Sequence, residues 1–351
     1  MRRLQPIYPS GFLFDHIIAT GGIGSGMFFS LSDDHTLGRN ESRMATLLPY
    51  KDFCKQHIIM HYISVLLGAG EQGGFQSYPI GKVGDDEIGR SLIEKIKKAG
   101  MNSSAVSVAP GAATLFSVCF QYPDKTGGNI TTENSASNKV SPEDIDAFFT
   151  TVHPVKNKEI ILAVPEVPLA ARVRLLEYGR QRGSLNVSSV LSSEIDSFKE
   201  QKGFHLTDIL FVNIDEAEHI ANSTQKDIVN NCINTLKNLN PSISIIITDG
   251  PNGSYTWTDN HLSHTPAIKV HAISTAGAGD AFLAGTLTGL CCGLPLDKSV
   301  NIGTLLAAWS VTSADTIHPD TNAQTLFNFI QNHAPGAARE FAGLFKNITA
   351  I

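Results

Sequence analysis

Ala272 to Gly293 reads AISTAGAGDAFLAGTLTGLCCG. Gly277 and Gly279 bracket Ala278, Asp280 follows at once, and an apolar run with small residues, Ala281 to Cys292, ends at Gly293 and Pro295. A glycine turn before such a run, with Gly and Pro after it, delimits a helix. The first backbone N–H groups of a helix lack partners within it, and with the helix dipole they form a place for an anion, phosphate above all. Glycine lets a ligand come close to the backbone. A carboxylate at that position, here Asp280, is favoured in its ionised form and can accept a proton near neutral pH. An anion cradle beside a base points to phosphoryl transfer onto a hydroxyl. The competing reading is local, because Asp is also a common helix N-cap.

The 351 residues, 42% of them hydrophobic, suffice for a sizeable core, arranged as one large α/β domain or two smaller ones. A formal net charge of -6 and the lack of any dense Lys/Arg tract argue against a nucleic-acid-binding surface. The cysteines, Cys54, Cys119, Cys232, Cys291 and Cys292, are odd in number and lack metal-ligand spacing. Reduced thiols in a cytoplasmic protein are the simplest account. MRRLQPIYPSGF has no apolar core of a secretory signal, and no stretch approaches a membrane span.

From Lys158 onward, strand and helix patterns alternate: EIILAVPE, a helix over 168–182, Ser184 to Val190, a helix over 195–201, HLTDILFVN and SISIIITDG. Such alternation implies a parallel sheet with helices on both faces and ligands beyond the C-terminal strand ends. Three strand ends are marked: Asn213, Gly250 and the GAGD turn. Asn213 and Glu216 form NxxE, a capping pattern whose oxygens also suit Mg2+. Thr248, Gly250 and Gly253 lie in ITDGPNGSY, a tight hairpin turn by composition. Helices are expected over 301–313, packed through Leu305, Ala308 and Trp309, and over 323–333.

The first half is less regular. Phe14 to Thr20 reads as a strand, followed by GGIGSG over 21–26 and a second strand, Met27 to Leu31, a strand–turn–strand at the sheet's edge. The glycine spacing fails the dinucleotide-binding fingerprint. A helix is expected over 52–67, with His57 and His61 on one face. The pair lacks a third metal ligand and reads as pocket lining or as a buried pair. Arg39, Asn40, Glu41, Arg43, Lys55 and His57 are candidate substrate contacts, and cations here would suit an anionic acceptor such as a sugar phosphate. Pro79 to Asn102 reads as strand, turn and helix, with Asp85 and Asp86 as turn residues. VSVAP and TLFSVCFQY within 104–122 read as strands, and 124–141 as a loop.

STAGAGDAFLAG resembles the DTxGAGDxFxxG signature of the ribokinase, or PfkB, family of carbohydrate kinases. PIGKVGDDEIGRSLIEKIKKAGMN resembles that family's GxVGxDxxGxxLxxxLxxxGV segment, and NxxE and TxGxxG occur in the family's order. The resemblance implies an α/β, ribokinase-like three-layer α/β/α fold in one domain over 1–351. Its central sheet would be mostly parallel, with a small β lid whose strands lie within 28–48 and 104–122. It implies Asp280 as catalytic base and Gly277, Ala278 and Gly279 as the anion hole. Asn213 and Glu216 would organise Mg2+ through water, and Thr248, Gly250, Gly253 and Thr275 would face the nucleotide. The activity implied is transfer of the γ-phosphoryl group of ATP to a sugar or related small alcohol. A nucleoside kinase of the same fold and a non-catalytic ligand-binding homologue are the alternatives, and a lid sheet would offer a surface for a homodimer. Two departures stand out. Ser274 replaces an Asp that helps organise a monovalent cation, which leaves that cation open. The family's early substrate-binding Asp and GGxxxNxA segment are missing, and the glycine pair would fall on Cys54–Lys55 and the Asn on Ile59. Ser135 to Asn138 occupies the place of a GAN-like turn near the substrate. The chain has no GxxxxGK[ST] phosphate loop.

Overall fold

The structure is a computed structural model describing residues 3–70, 74–124, 126–152, 158–222 and 227–349. Its strands are β1 (His16–Thr20), β2 (Gly24–Ser30), β3 (Thr46–Phe53), β4 (Gln76–Gly84), β5 (Val106–Ala109), β6 (Leu115–Gln121), β7 (Gly127–Thr131), β8 (Glu159–Ala163), β9 (Leu185–Ser189), β10 (Ile209–Asn213), β11 (Ser244–Thr248), β12 (Ser254–Thr258) and β13 (His261–Thr265). They form a nine-stranded sheet, order β13-β12-β11-β10-β9-β8-β1-β4-β5, and a four-stranded sheet, order β3-β2-β6-β7. In the large sheet every pairing from β5 to β11 is parallel, and β12 and β13 close one edge as an antiparallel hairpin.

Alternate residues of a strand face opposite sides, so a parallel sheet covered on both faces needs apolar residues at every position. Ile17 and Ala19 of β1, Phe211 of β10 and Ile246 of β11 enter one core, with the helices Lys55–Leu67, Ala278–Cys291 and Leu296–Ser310. Ile18, Leu210, Val212, Ile245 and Ile247 from the same strands enter the other, with the helices Leu169–Arg182, Ile214–Ala221 and Ile228–Leu239. The result is the three-layer α/β/α arrangement expected, with the smaller sheet outside it.

Four local expectations are corrected. β1 is not an edge strand: it lies between β8 and β4, and the chain then leaves the large sheet and enters the small one as β2. Gly21 and Gly22 lie in that crossing, Gly24 and Gly26 already belong to β2, and the segment is not a hairpin. β5, the VSVAP strand, extends the large sheet beside β4, so of the two strands within 104–122 only β6 belongs to the lid. The lid's fourth strand, β7, lies within the stretch read as a loop, because two Gly and an Asn hid a β-ladder partner of β6. The helix expected from Asp52 starts at Lys55, since Asp52 and Phe53 still pair with β2. No helix among the described residues is long and apolar enough to cross a membrane.

Candidate active site

Between the lid and the C-terminal ends of the parallel strands lies a cleft of about 330 Å³. The lid contributes Phe28, Asp52, Ser117, Cys119 and Asn129, among others, and the large sheet's side contributes Lys55, Glu166, Ser274 to Gly277, Asp280 and Thr316. The end of the lid strand β3 is tied to the segment around Thr316 by hydrogen bonds. Lys51 N–H donates to Asp315 Oδ1 at 2.9 Å, Phe53 N–H donates to Thr316 Oγ1 at 3.0 Å, and Thr316 N–H donates to Lys51 O at 3.1 Å.

Asp280 stands in the first turn of the helix Ala278–Cys291. That helix starts from Gly277 at φ +76°, where a Cβ would lie 2.9 Å from Thr316 O, so the turn requires glycine. Ala278 N–H donates to Thr275 O at 3.2 Å. Among the described residues the N–H groups of Gly277, Gly279 and Asp280 find no acceptor, the condition in which a helix start receives an anion. Of the expected anion hole, Gly277 and Gly279 thus offer free donors, while Ala278 is engaged and Asp280's own N–H takes its place.

Lys55 reaches the same point from the first turn of its own helix, with Nζ 3.5 Å from Asp280 Oδ1. The Asp280 carboxylate holds the Lys55 ammonium above its ordinary range, with smaller help from Glu166 and Glu216 and against the cost of burial. Glu166 follows β8, in VPEVP, and its Oε2 accepts the Lys55 N–H at 3.1 Å. Burial pushes the Glu166 carboxyl up to about 7, against the opposing pull of Lys55. Its backbone lies at φ +77°, a conformation that costs a non-glycine residue energy and tends to gather at functional sites. Room for it comes from Gly22, where a Cβ would lie 2.3 Å from Glu166 Oε2.

Asp52, only 6% exposed, is the penultimate residue of the lid strand β3. Its Oδ2 accepts from Ser117 Oγ at 2.8 Å and from Cys119 Sγ at 3.5 Å, and burial raises its pKa. Sequence reasoning missed both Asp52 and Glu166. A signal for Glu166 existed: a lone Glu between prolines, directly after an all-apolar strand, sits at a parallel strand's C-terminal end, where ligands bind.

Asn213 and Glu216 form a reciprocal capping box at the start of the helix Ile214–Ala221. Asn213 Oδ1 accepts from Glu216 N–H at 2.8 Å, and Glu216 Oε2 accepts from Asn213 N–H at 2.9 Å. Burial raises the Glu216 pKa, and the charges of Lys55 and Asp280 also act on it. Asn213 is paired in register with Thr248 across β10 and β11, so NxxE and TxGxxG meet at one edge of the site, beside the cleft and not in its lining. Gly253, at φ +100°, has a structural duty in the β11–β12 turn, where a Cβ would lie 2.1 Å from Thr265 O. Thr275 lines the cleft, and Ser274 Oγ accepts the Ala276 N–H at 3.3 Å.

Other candidates lie elsewhere. Arg39 and Asn40 are exposed on the loop after β2 and do not line the cleft. Arg43 is engaged with Glu41, with Asp33 at 3.5 Å and with His35 O at 2.6 Å. His57 is 2% exposed, stacked on His61 at 6.2 Å and tilted against Phe53 at 4.8 Å, and burial pushes its imidazole down to about 3. No third metal-ligating side chain joins the pair among the described residues. Asp86 caps the helix Glu87–Lys98 and binds Thr114, and the turn at Ser135–Asn138 packs its Ser137 against Ile23. Trp309 stacks on His318 at 3.8 Å.

The pfkB family carbohydrate kinase model matches residues 63–323. The deoxyribokinase of Salmonella typhi is 25% identical over 244 residues, 67% of this chain and 75% of that protein. The fold is similar to that of the ribokinase of Cryptococcus neoformans var. grubii serotype A, solved with ADP (TM-score 0.72, 17% identity, 90% of this chain and 99% of that one). It is similar also to the nucleoside kinase of Burkholderia thailandensis, solved with inosine (TM-score 0.71, 15% identity, 91% and 99%). With the family model spanning most of its length and the fold in agreement, the chain belongs to the pfkB family of carbohydrate kinases.

Proposed function

We propose that this chain transfers the γ-phosphoryl group of ATP to a hydroxyl of a sugar or related small alcohol held in the cleft. The observation that carries this reading is the position of Asp280: it heads the helix whose free N–H groups open on the cleft, with Lys55 beside it. Asp280 removes the proton of the acceptor hydroxyl as that oxygen attacks. The N–H groups of Gly277, Gly279 and Asp280 bind the transferring phosphoryl oxygens, and the Lys55 ammonium balances their charge. The donor set fits a magnesium nucleotide, because Mg2+ takes one or two carboxylates plus phosphates and water, and Glu216 supplies a carboxylate fixed by its capping bond. Bound there, the ion neutralises charge on the phosphates. Phe28 and Phe120 of the lid line the cleft, and with the acceptor bound they would exclude water, a competing acceptor. Residues 1–351 act as one domain in this account.

The phenyl rings of Phe28, Phe53 and Phe120 in the cleft favour a second reading, in which the acceptor is a nucleoside whose base stacks there. ADP release from Mg-ATP against free sugars, sugar phosphates and nucleosides tests both. Release that requires one acceptor establishes the kinase and its class. Nucleotide binding with no acceptor-dependent release across the panel supports a non-catalytic homologue instead.

A further inference from the structure

The charges around the acceptor define what it is. Of the described residues lining the cleft, the charged ones are Asp52, Glu166, Asp280 and Lys55. The Lys55 ammonium lies at the phosphoryl-transfer end, beside Asp280, and its backbone N–H is bonded to Glu166. Arg39 and Arg43, the cations that favoured an anionic acceptor, do not line the cleft. A phosphomonoester group entering the acceptor end would meet carboxylates from both the lid and the sheet.

Asp52 is prepared for a different partner. Ser117 and Cys119 on β6, reaching across β2, fix its Oδ2, and Gly26 on β2 leaves space where a Cβ would lie 2.3 Å from that oxygen. A carboxylate accepts about four hydrogen bonds, so those two leave capacity for hydroxyl donors. Charge-assisted bonds from hydroxyls to a carboxylate are short and strong.

We propose that Asp52 anchors an uncharged, polyhydroxylated acceptor from the lid, and that Asp52, Glu166 and Asp280 together reject phosphorylated acceptors. This rests on the kinase reading above and narrows its acceptor to free sugars and ribosides.

The test compares wild type, Asp52→Asn and Ser117→Ala on ribose, fructose and inosine and on ribose 5-phosphate and fructose 6-phosphate. Wild type is expected to use its best neutral acceptor at least about 100-fold better, by kcat/KM, than any phosphorylated one. Losing a hydrogen bond to a charged group costs about 10–100-fold, so Asp52→Asn should raise the acceptor KM by that factor, with kcat within a few-fold and Mg-ATP affinity unchanged. Ser117→Ala, which loosens Asp52 without removing it, should raise KM several-fold, and it serves alone if Asp52→Asn does not fold. Preference for a phosphorylated acceptor, or an unchanged acceptor KM in both variants, overturns the proposal. Absence of turnover with every acceptor counts against the kinase reading. In that case saturation-transfer NMR of ribose, fructose and inosine decides: weaker binding to either variant than to wild type supports the role of Asp52, and equal binding overturns it.

Discussion

Lys55 Nζ and Asp280 Oδ1 lie 3.5 Å apart, although the two residues come from opposite ends of the chain. One starts the helix that follows the lid strand β3, and the other starts the helix that follows the GAGD turn. The pair joins a positive charge for phosphoryl oxygens to a base for the acceptor. Lys55→Met should therefore lower kcat by about 10²–10³, the usual loss when one charge-stabilising donor is removed. Residues that act as a unit are not additive, so Lys55→Met with Asp280→Asn should be little worse than Asp280→Asn alone. Steady-state kcat values for the two single variants and the double variant check this.

Glu166 makes stability depend on pH. Its ordinary value is 4.5 and burial raises it to about 7 in the folded protein. Between these values the folded chain holds a proton that the unfolded chain has released, so stability is lost as pH rises through that window and is level above it. The loss is on the order of 3 kcal/mol. Glu166→Gln carries no titrating proton there. Denaturant midpoints at pH 4.5 and 8 should fall less in Glu166→Gln than in wild type, and an equal fall would show that Glu166 titrates normally.

Glu216 has two duties that a pair of substitutions separates. Glu216→Gln keeps an oxygen for the Asn213 N–H, so thermal stability should hold while the Mg2+ concentration for half-maximal activity rises about 10-fold or more. Glu216→Ala also loses its half of the capping box, at about 1 kcal/mol. A magnesium titration paired with melting curves reads both. Equal magnesium requirements in wild type and Glu216→Gln would leave only the cap.

The large sheet was legible because burial on both faces leaves an unbroken apolar run, as in ILFV of β10 and IIIT of β11. The helix headed by Asp280 was legible because Gly277 and Gly293 punctuate it. The lid was harder to read. β7 is mostly exposed and Gly-rich, and it is defined by its partner β6 more than by its own residues. β1 looked peripheral because its neighbours β4 and β8 are distant in sequence, and only tertiary pairing puts it in the middle. The site divides the same way. Asp280 carries a local pattern, whereas Asp52 owes its position to Ser117 and Cys119 on another strand. Gly22 and Gly26, part of a glycine cluster with a nucleotide-binding appearance, leave room for Glu166 and Asp52.

The most direct test of the account is ADP formation by Asp280→Asn at saturating Mg-ATP and acceptor, with Mg-ATP affinity and melting temperature measured on the same preparation. The account predicts kcat lower by about 10²–10⁴ with nucleotide affinity and folding kept, the loss typical of removing a general base. Turnover within a few-fold of wild type would contradict it.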